Sequence, residues 1–387
     1  MRVSVVVPVR NDPAHLRACL RSLQATTFRD YEVVVVDDAS SDESGALARE
    51  MGARVLRLER QSGPAAARNL GAEAAGGEVV LFVDADVCVQ PETVGLVAAA
   101  FEQDPGIAAL FGSYDREPGE KNLLSQYKNL FHHFVHQQAA PEAATFWAGC
   151  GAIRRAIFLE RGGFDTGYGR PCIEDIELGA RLRRAGHRIV LRHEIQVTHL
   201  KRWTLWGMIR SDVWDRGVPW TELILRERIL PDDLNLKTSQ RVSALLAGGL
   251  LALLLLAAGD RPGLLLVPPL IVAGILWLDA RPAPTGRVAL PELAVVGGAL
   301  AGVAALLGRG QGTRALVGLA LMLAIVVINR SVYAFFRRAR GLAFALVVAP
   351  LHVLYYLYSG AALALGTLRY LWNGGTLGVR ARVAPRT

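Results

Sequence analysis

The chain opens with two hydrophobic patterns in regular alternation. Short β-branched runs at residues 3–7, 32–36, 54–58, 79–83 and 107–111 have the length and composition of buried strands. Between them, residues 13–25, 42–51, 64–75 and 91–103 carry apolar positions at helical spacing. Asp12-Pro13 reads as an N-cap followed by a first-turn proline, and Gln90-Pro91-Glu92 repeats the signal. Strands alternating with helices predict an α/β fold whose mostly parallel, Rossmann-like sheet is covered on both faces. Ligands of such sheets gather beyond the carboxyl ends of the strands, so the residues directly after each strand are the candidates for chemistry.

The pattern then changes. A mixed segment from about Lys121 to Leu200 ends in strands predicted around residues 189–191 and 195–197. Trp203, Trp206, Trp214 and Trp220 follow, interleaved with Arg202, Arg210 and Arg216. Tryptophan and arginine at this density suit an amphipathic helix lying among lipid headgroups; taken alone, the stretch reads equally as a core helix. Uncharged runs at 242–259, 263–278, 293–308, 315–328 and 341–368 predict four or five membrane helices, the last interrupted by Pro350. Five spans would leave the arginine-bearing tail outside and four would keep it inside; the sequence leaves both open.

Charge follows the same division. Of 43 basic and 35 acidic residues, the stretch from Val242 onward holds thirteen arginines, no lysine and three acids (Asp260, Asp279, Glu292), a net of +10. The first 241 residues carry a net of −2. The half that reads as a folded α/β domain therefore has no cationic excess for phosphate backbones, which argues against nucleic-acid binding. Cys19, Cys88, Cys150 and Cys172 form no Cys-x-x-Cys pair, so neither a zinc site nor a redox motif is expected. Reduced thiols in a cytoplasmic domain, with no secretory leader ahead of the first strand, are the expected state.

Three places carry candidate chemistry. The strand at 79–83 ends in Asp84-Ala85-Asp86. On an extended chain these carboxylates share a side and repel unless a cation joins them, although a solvated turn explains the bare pattern as well. Hard oxygen ligands at a sheet edge suit Mg²⁺ or Mn²⁺ and, through it, a diphosphate. After the strand at 32–36 come Asp37-Asp38-Ala39-Ser40-Ser41-Asp42, able to accept hydrogen bonds from a base or ribose, or simply to cap a helix. Arg68, in Ala67-Arg68-Asn69-Leu70-Gly71, could reach phosphate or remain a surface residue. Finally, Glu174-Asp175 begins an amphipathic helix after a glycine-rich stretch (Gly149, Gly151, Gly162, Gly163, Gly167, Gly169). Glycines let a backbone approach a ligand closely, and an acid held there could act as a general base. His132, His133 and His136 lie on a predicted helix and read as acceptor-side or surface residues.

In this order the motifs resemble glycosyltransferase family 2, of the GT-A fold, over about residues 1–205. They run from Pro8-Val9-Arg10-Asn11 through Asp37-Asp38, Ala67-Arg68-Asn69 and Asp84-Ala85-Asp86 to Gly149-Cys150-Gly151. Arg154-Arg155, Gly162-Gly163-Phe164-Asp165 and Glu174-Asp175 continue the series. The resemblance implies that Pro8, Arg10, Asp37 and Arg68 line the nucleotide, that Asp84 contacts ribose or diphosphate, and that Asp86 binds the metal. It further implies Gly149 beside the donor sugar and acceptor, Asp175 of the Glu174-Asp175 pair as base, and His199 completing the metal shell. Arg202 and Trp203 match the acceptor-holding end of the Gln-x-x-Arg-Trp motif of processive members. Here that motif reads His199-Leu-Lys-Arg202-Trp203, which favours a single transfer over polymerisation.

The resulting expectation is an inverting, metal-dependent transfer from a nucleotide-sugar donor to a lipid or lipid-linked saccharide acceptor. The enzyme is expected to be a multi-pass membrane protein with its catalytic domain cytoplasmic. The division expected is a catalytic domain at 1–202, an interfacial segment at 203–241, a transmembrane region at 242–368 and a basic tail at 369–387. A processive polysaccharide synthase and a non-catalytic membrane scaffold are the competing readings.

Overall fold

The computed structural model describes residues 2–228, 232, 234–260, 267–280 and 312–374. One eight-stranded sheet organises the first 200. Its strands are β1 (Val3–Val9), β2 (Tyr31–Asp37), β3 (Arg54–Arg57), β4 (Val79–Val83), β5 (Val87–Val89), β6 (Ile107–Tyr114), β7 (Cys150–Arg154) and β8 (Arg188–His199). They lie in the order β3-β2-β1-β4-β7-β6-β8-β5. β3, β2, β1 and β4 are parallel, as the alternating pattern predicts. β7 then enters antiparallel between β4 and β6, with Val83 opposite Cys150 and Ala109 opposite Ile153. β5 pairs antiparallel with β8, so the sheet is mixed rather than mostly parallel. The expected parallel character holds for β1 to β4 and again for β6 with β8, and β1, β2 and β3 are each followed by a crossover helix.

Four of these helices match the predicted periodicity: α1 (Pro13–Gln24), α2 (Ser44–Glu50), α3 (Pro64–Ala74) and α4 (Thr93–Gln103). Asp12 caps α1, its carboxylate accepting the His15 amide, and Pro13 occupies the first turn. α3 lies close on the sheet because Gly71 has no side chain; a Cβ there would stand 2.4 Å from Val6 Cγ1. Next come α5 (Leu123–Gln137), α6 (Arg155–Glu160) and α7 (Glu174–Arg184). Two apolar layers fill the faces of the sheet, one under α3, α5 and α7 around Phe82, Phe111 and Phe146, the other under α1 and α4. α5 corrects the reading of its histidines. His133 and His136 are buried, their Nδ1 atoms against the Tyr114 and Gly112 carbonyls, and His132 packs on His136 and Trp147.

After β8 the chain forms α8 (Leu205–Arg210), a π-helical turn (Ser211–Gly217) and α9 (Val218–Glu227). Trp203 is buried, whereas Trp206 and Trp214 are 70% and 47% exposed, so this segment has the two-sided character read from its tryptophans. Among the described residues five further α-helices follow: α10 (Thr238–Asp260), α11 (Val267–Asp279), α12 (Gly312–Ile328), α13 (Arg330–Arg340) and α14 (Leu342–Trp372). Among the described residues, Thr238–Leu256 and Leu342–Trp372 are long and apolar enough to cross a membrane. Leu316–Ile328 and Arg330–Arg340, bent by 66° at their break, add a third if taken as one span. α11, at 13 residues, falls short of that length. The apolar run at 293–308 and the tail from 375 lie outside the described residues.

Polar bonds fasten these helices to the sheet domain. Asp279 accepts the side-chain amide of Asn122 and the Leu124 backbone N–H at the start of α5. Asp212 in the π-helical turn accepts Lys128 Nζ from α5 at 2.6 Å and Tyr358 Oη from α14 at 2.8 Å. Arg340 donates to Gln126 and to the Arg116 carbonyl.

Candidate active site

The parallel strands end at a cleft of about 650 Å³. Of the residues singled out from sequence, Pro8, Arg10, Arg68, Asp84, Asp86, His199, Arg202 and Trp203 line it; Asp37, Gly149, Glu174 and Asp175 do not. Asp37 is fully buried, accepting from Arg57 at 2.8 Å and from the Ser40 amide. Its neighbour Asp38 reaches the cleft but is held by the amides of Ser62 and Gly63. Gly149 answers to packing rather than to a ligand, since a Cβ there would meet the Trp147 ring at 2.5 Å.

Asp84 and Asp86 do not sit on an extended chain. The Val87 amide donates to the Asp84 carbonyl at 3.0 Å, closing a turn between β4 and β5, and both carboxylates still border the cleft. They have different partners. Asp84 takes Arg68 at 2.6 Å, and the other end of that guanidinium takes Glu174 at 3.0 Å. Arg68 and Glu174 are buried, and Glu174 also accepts the Cys172 amide. Glu174 is therefore a structural tie from α7 to the β4 end, with Arg68 as the link.

Asp86 faces His199. Val87 pairs with His199 in the sheet, the Leu200 amide donates to the Asp86 carbonyl, and His199 Nε2 stands 3.4 Å from Asp86 Oδ2. Burial works to raise the Asp86 pKa, but hydrogen bonding and charge from His199, with Lys201, hold it down at about 2. Tyr114 stacks on the imidazole at 4.4 Å and 7°. Asn129 fixes the tautomer. Its amide nitrogen donates to the Ser125 carbonyl, so its oxygen faces His199 Nδ1 at 2.7 Å, and Nδ1 must carry the proton. Protonated on both nitrogens the ring pairs with Asp86, as the depressed carboxyl requires; in the neutral ring that a metal ligand must be, Nε2 would instead turn a lone pair towards the carboxylate. Two such groups face to face fit a cation between them. Among the described residues no group of three or more His, Cys, Asp or Glu side chains could hold a metal ion. Two protein ligands completed by substrate phosphates are a common arrangement for a hard divalent ion.

Asp175 begins α7 beside Glu174, partly accessible, accepting the Ala148 amide at 3.0 Å. Burial first, then the charge of Glu174, pushes its carboxyl up to about 6 despite Arg68 and Arg216. A carboxylate tuned to this range can take up a proton near neutral pH. At the far end of the cleft, Trp203 lies under Lys201 at 4.4 Å, and Arg202 pairs with Glu120.

Sequence reading missed Tyr114, Asn129 and the inward placement of Arg216. Only Asn129 left a trace: Ser125, Asn129 and His133 form a polar row at four-residue spacing on the same helix as Leu123, Leu124, Leu130 and Phe131.

An acid-edged cleft at the carboxyl ends of parallel strands, joined by a histidine from a later strand, lies where ligands of α/β sheets bind. Residues 4–162 match the family model described as Glycosyl transferase family 2. The chain thus carries a glycosyltransferase family 2 domain, and the enzyme class of that domain is glycosyltransferase. It is 39% identical over 97 residues to glycosyltransferase GlyA of Streptococcus pneumoniae, covering 24% of this chain and 14% of that protein. It is 29% identical over 171 residues to an uncharacterized glycosyltransferase of Haemophilus influenzae, covering 42% and 56% respectively. The chain thus spans less than two thirds of these relatives. Among solved structures, a Pyrobaculum calidifontis mannosyltransferase in complex with GDP-Man and Mn²⁺ overlaps 96% of this chain and 87% of its own, at 18% identity and a TM-score of 0.49.

Proposed function

We propose that this protein moves a sugar from a nucleotide-sugar donor to a lipid or lipid-linked saccharide acceptor by a single inverting displacement. The pairing of Asp86 with the His199 lone pair, at the edge where the β1, β2 and β4 loops converge, carries the reading. Asp86 and His199 are the residues that would hold Mg²⁺ or Mn²⁺; bound there, the ion supplies positive charge for a departing nucleoside diphosphate. Arg68 keeps Asp84 fixed at the nucleotide side. Asp175 accepts the proton of the acceptor hydroxyl as its oxygen bonds to the anomeric carbon and the bond to the diphosphate breaks.

The membrane acceptor follows from placement. Residues 203–216 line the cleft at one end and expose Trp206 and Trp214, and Ser211–Glu227 packs on α14, itself long enough to span a bilayer. This supports a catalytic domain at 1–202 and a membrane region from 242; a cytoplasmic catalytic side is part of the same proposal. The Arg202-Trp203 pair preceded by His199 rather than glutamine favours one transfer per acceptor over processive synthesis, and product length on a gel separates the two. Asp175→Asn tests the central step: metal-dependent binding of the donor should persist while transfer is lost. Loss of donor binding with intact folding would overturn the assignment of the base.

A further inference from the structure

The cleft has ends of unlike charge. Around β1, β2 and β4 it presents Asp84, Asp86 and Asp38. The opposite wall comes from the chain after β8 and from the loop before α7, and there it presents Arg170, Arg202, Arg210 and Arg216. Two of these are neutralised, Arg170 by Asp215 at 3.2 Å and Arg202 by Glu120 at 3.0 Å. Arg210 and Arg216 have no carboxylate within ion-pair distance among the described residues. Of the acids nearest in the chain, Asp212 already accepts from Lys128 and Tyr358, and Asp215 pairs with Arg170. Both residues are exposed, and Arg216 feels the negative charge of Asp212, Asp175 and Glu174 without an ion pair to any of them; planar N–H forks placed in this way in a cleft wall suit phosphate oxygens best.

We infer that Arg210 and Arg216 bind a phosphate group of the acceptor, so that the acceptor is a saccharide joined through phosphate or diphosphate to a long apolar chain. This rests on the transferase reading above and names the substrate class of that same site. Two observations assign the cations to acceptor rather than donor. They stand on α8 and the π-helical turn, not on the strand ends that hold Asp84 and Asp86, and Arg216 is near enough to Asp175, the proposed base, to act on its charge. That segment is also the part of the cleft wall touching the apolar helices: Gly217 approaches α14 so closely that a Cβ would lie 2.6 Å from Ala362 Cβ. Exposed Trp206 and Trp214 alternate with the two arginines in sequence, and rings of this kind sit at headgroup depth, where a lipid carrier's phosphate lies. The phosphate is a handle and not the nucleophile. A hydroxyl of the attached saccharide forms the new bond to the anomeric carbon, its proton passes to Asp175, and the nucleoside diphosphate leaves with the bonding electrons.

The test uses the full-length protein in detergent, titrated separately with farnesyl phosphate, farnesol and inorganic phosphate, and read by tryptophan fluorescence. Wild type should bind farnesyl phosphate more tightly than either control. The double variant Arg210→Gln/Arg216→Gln should lose about 10- to 100-fold of that affinity, as for the removal of charge-assisted bonds. Arg216→Lys should retain part of it, and farnesol binding should not change. Equal binding of farnesyl phosphate by wild type and double variant overturns the proposal, and so does equal preference for inorganic phosphate. Titration with UDP and GDP in the presence of Mn²⁺ gives the separating control. If the double variant loses nucleotide affinity, the arginines serve the donor and the acceptor assignment is wrong. If wild type binds neither nucleotide, the transferase reading fails while the farnesyl phosphate comparison still stands or falls by itself.

Discussion

Replacing Arg68 by methionine keeps a long apolar stem in place and removes the guanidinium that bridges Asp84 and Glu174. The two carboxylates then differ in what they lose. Asp84 has a side chain 32% exposed, so water screens its loss and it contributes little. Glu174 has a side chain 5% exposed and, among the described residues, keeps only the Cys172 amide as a hydrogen-bond donor, so it bears most of the penalty. Breaking a buried pair costs about 3–5 kcal/mol; with one partner screened, the low end, about 3 kcal/mol, applies. At about 2–4 °C per kcal/mol for a domain of this size, the melting temperature should fall by roughly 6–12 °C. The assay is near-ultraviolet circular dichroism of the detergent-solubilised protein near pH 7.5, all variants heated at one scan rate. Adding Glu174→Gln to Arg68→Met removes the orphaned charge while keeping an acceptor for the Cys172 amide, and should recover most of the loss. A single variant melting within about 1 °C of wild type would refute the reasoning, as would a double variant no more stable than the single.

Two other measurements bear on the site. Because burial and Glu174 hold the Asp175 carboxyl at about 6, turnover should be low below that pH, where the base is protonated, and rise through it. Glu174→Gln should move this limb to lower pH; a limb that stays near 6 would assign the ionisation to another group. Asn129→Leu should weaken Mn²⁺ binding, measured by calorimetry, by about 10- to 100-fold, with Asn129→Asp retaining more, because the imidazole loses the acceptor that sets its tautomer. Unchanged Mn²⁺ affinity, or nitrogen NMR showing the proton on His199 Nε2, would remove that role.

Much of the architecture is legible before any coordinates, and the reason is local. β1 to β4 and α1 to α4 announce themselves through β-branched runs, amphipathic spacing and capping residues, all decided within a few residues of chain. Asp84, Asp86 and Arg68 are legible because strand ends in such a fold have only one place to converge. Asp37 and Gly149 escape the same logic. Which of two adjacent aspartates turns outward depends on Arg57, twenty residues away, and the need for glycine at 149 comes from the ring of Trp147.

What the sequence determined by itself, then, is the order of elements, the acid edge of the cleft and the apolar character of the second half. Those are properties of periodicity and composition, and they survive any rearrangement at long range. Only the tertiary structure decided that β7 runs antiparallel through the middle of the sheet, that Glu174 is bonded to Arg68, that Asn129 orients His199, and that Arg216 turns into the cleft. Each of these depends on side chains from separate elements meeting in the folded chain, where a buried polar group must find its partner and a cleft collects residues far apart in sequence.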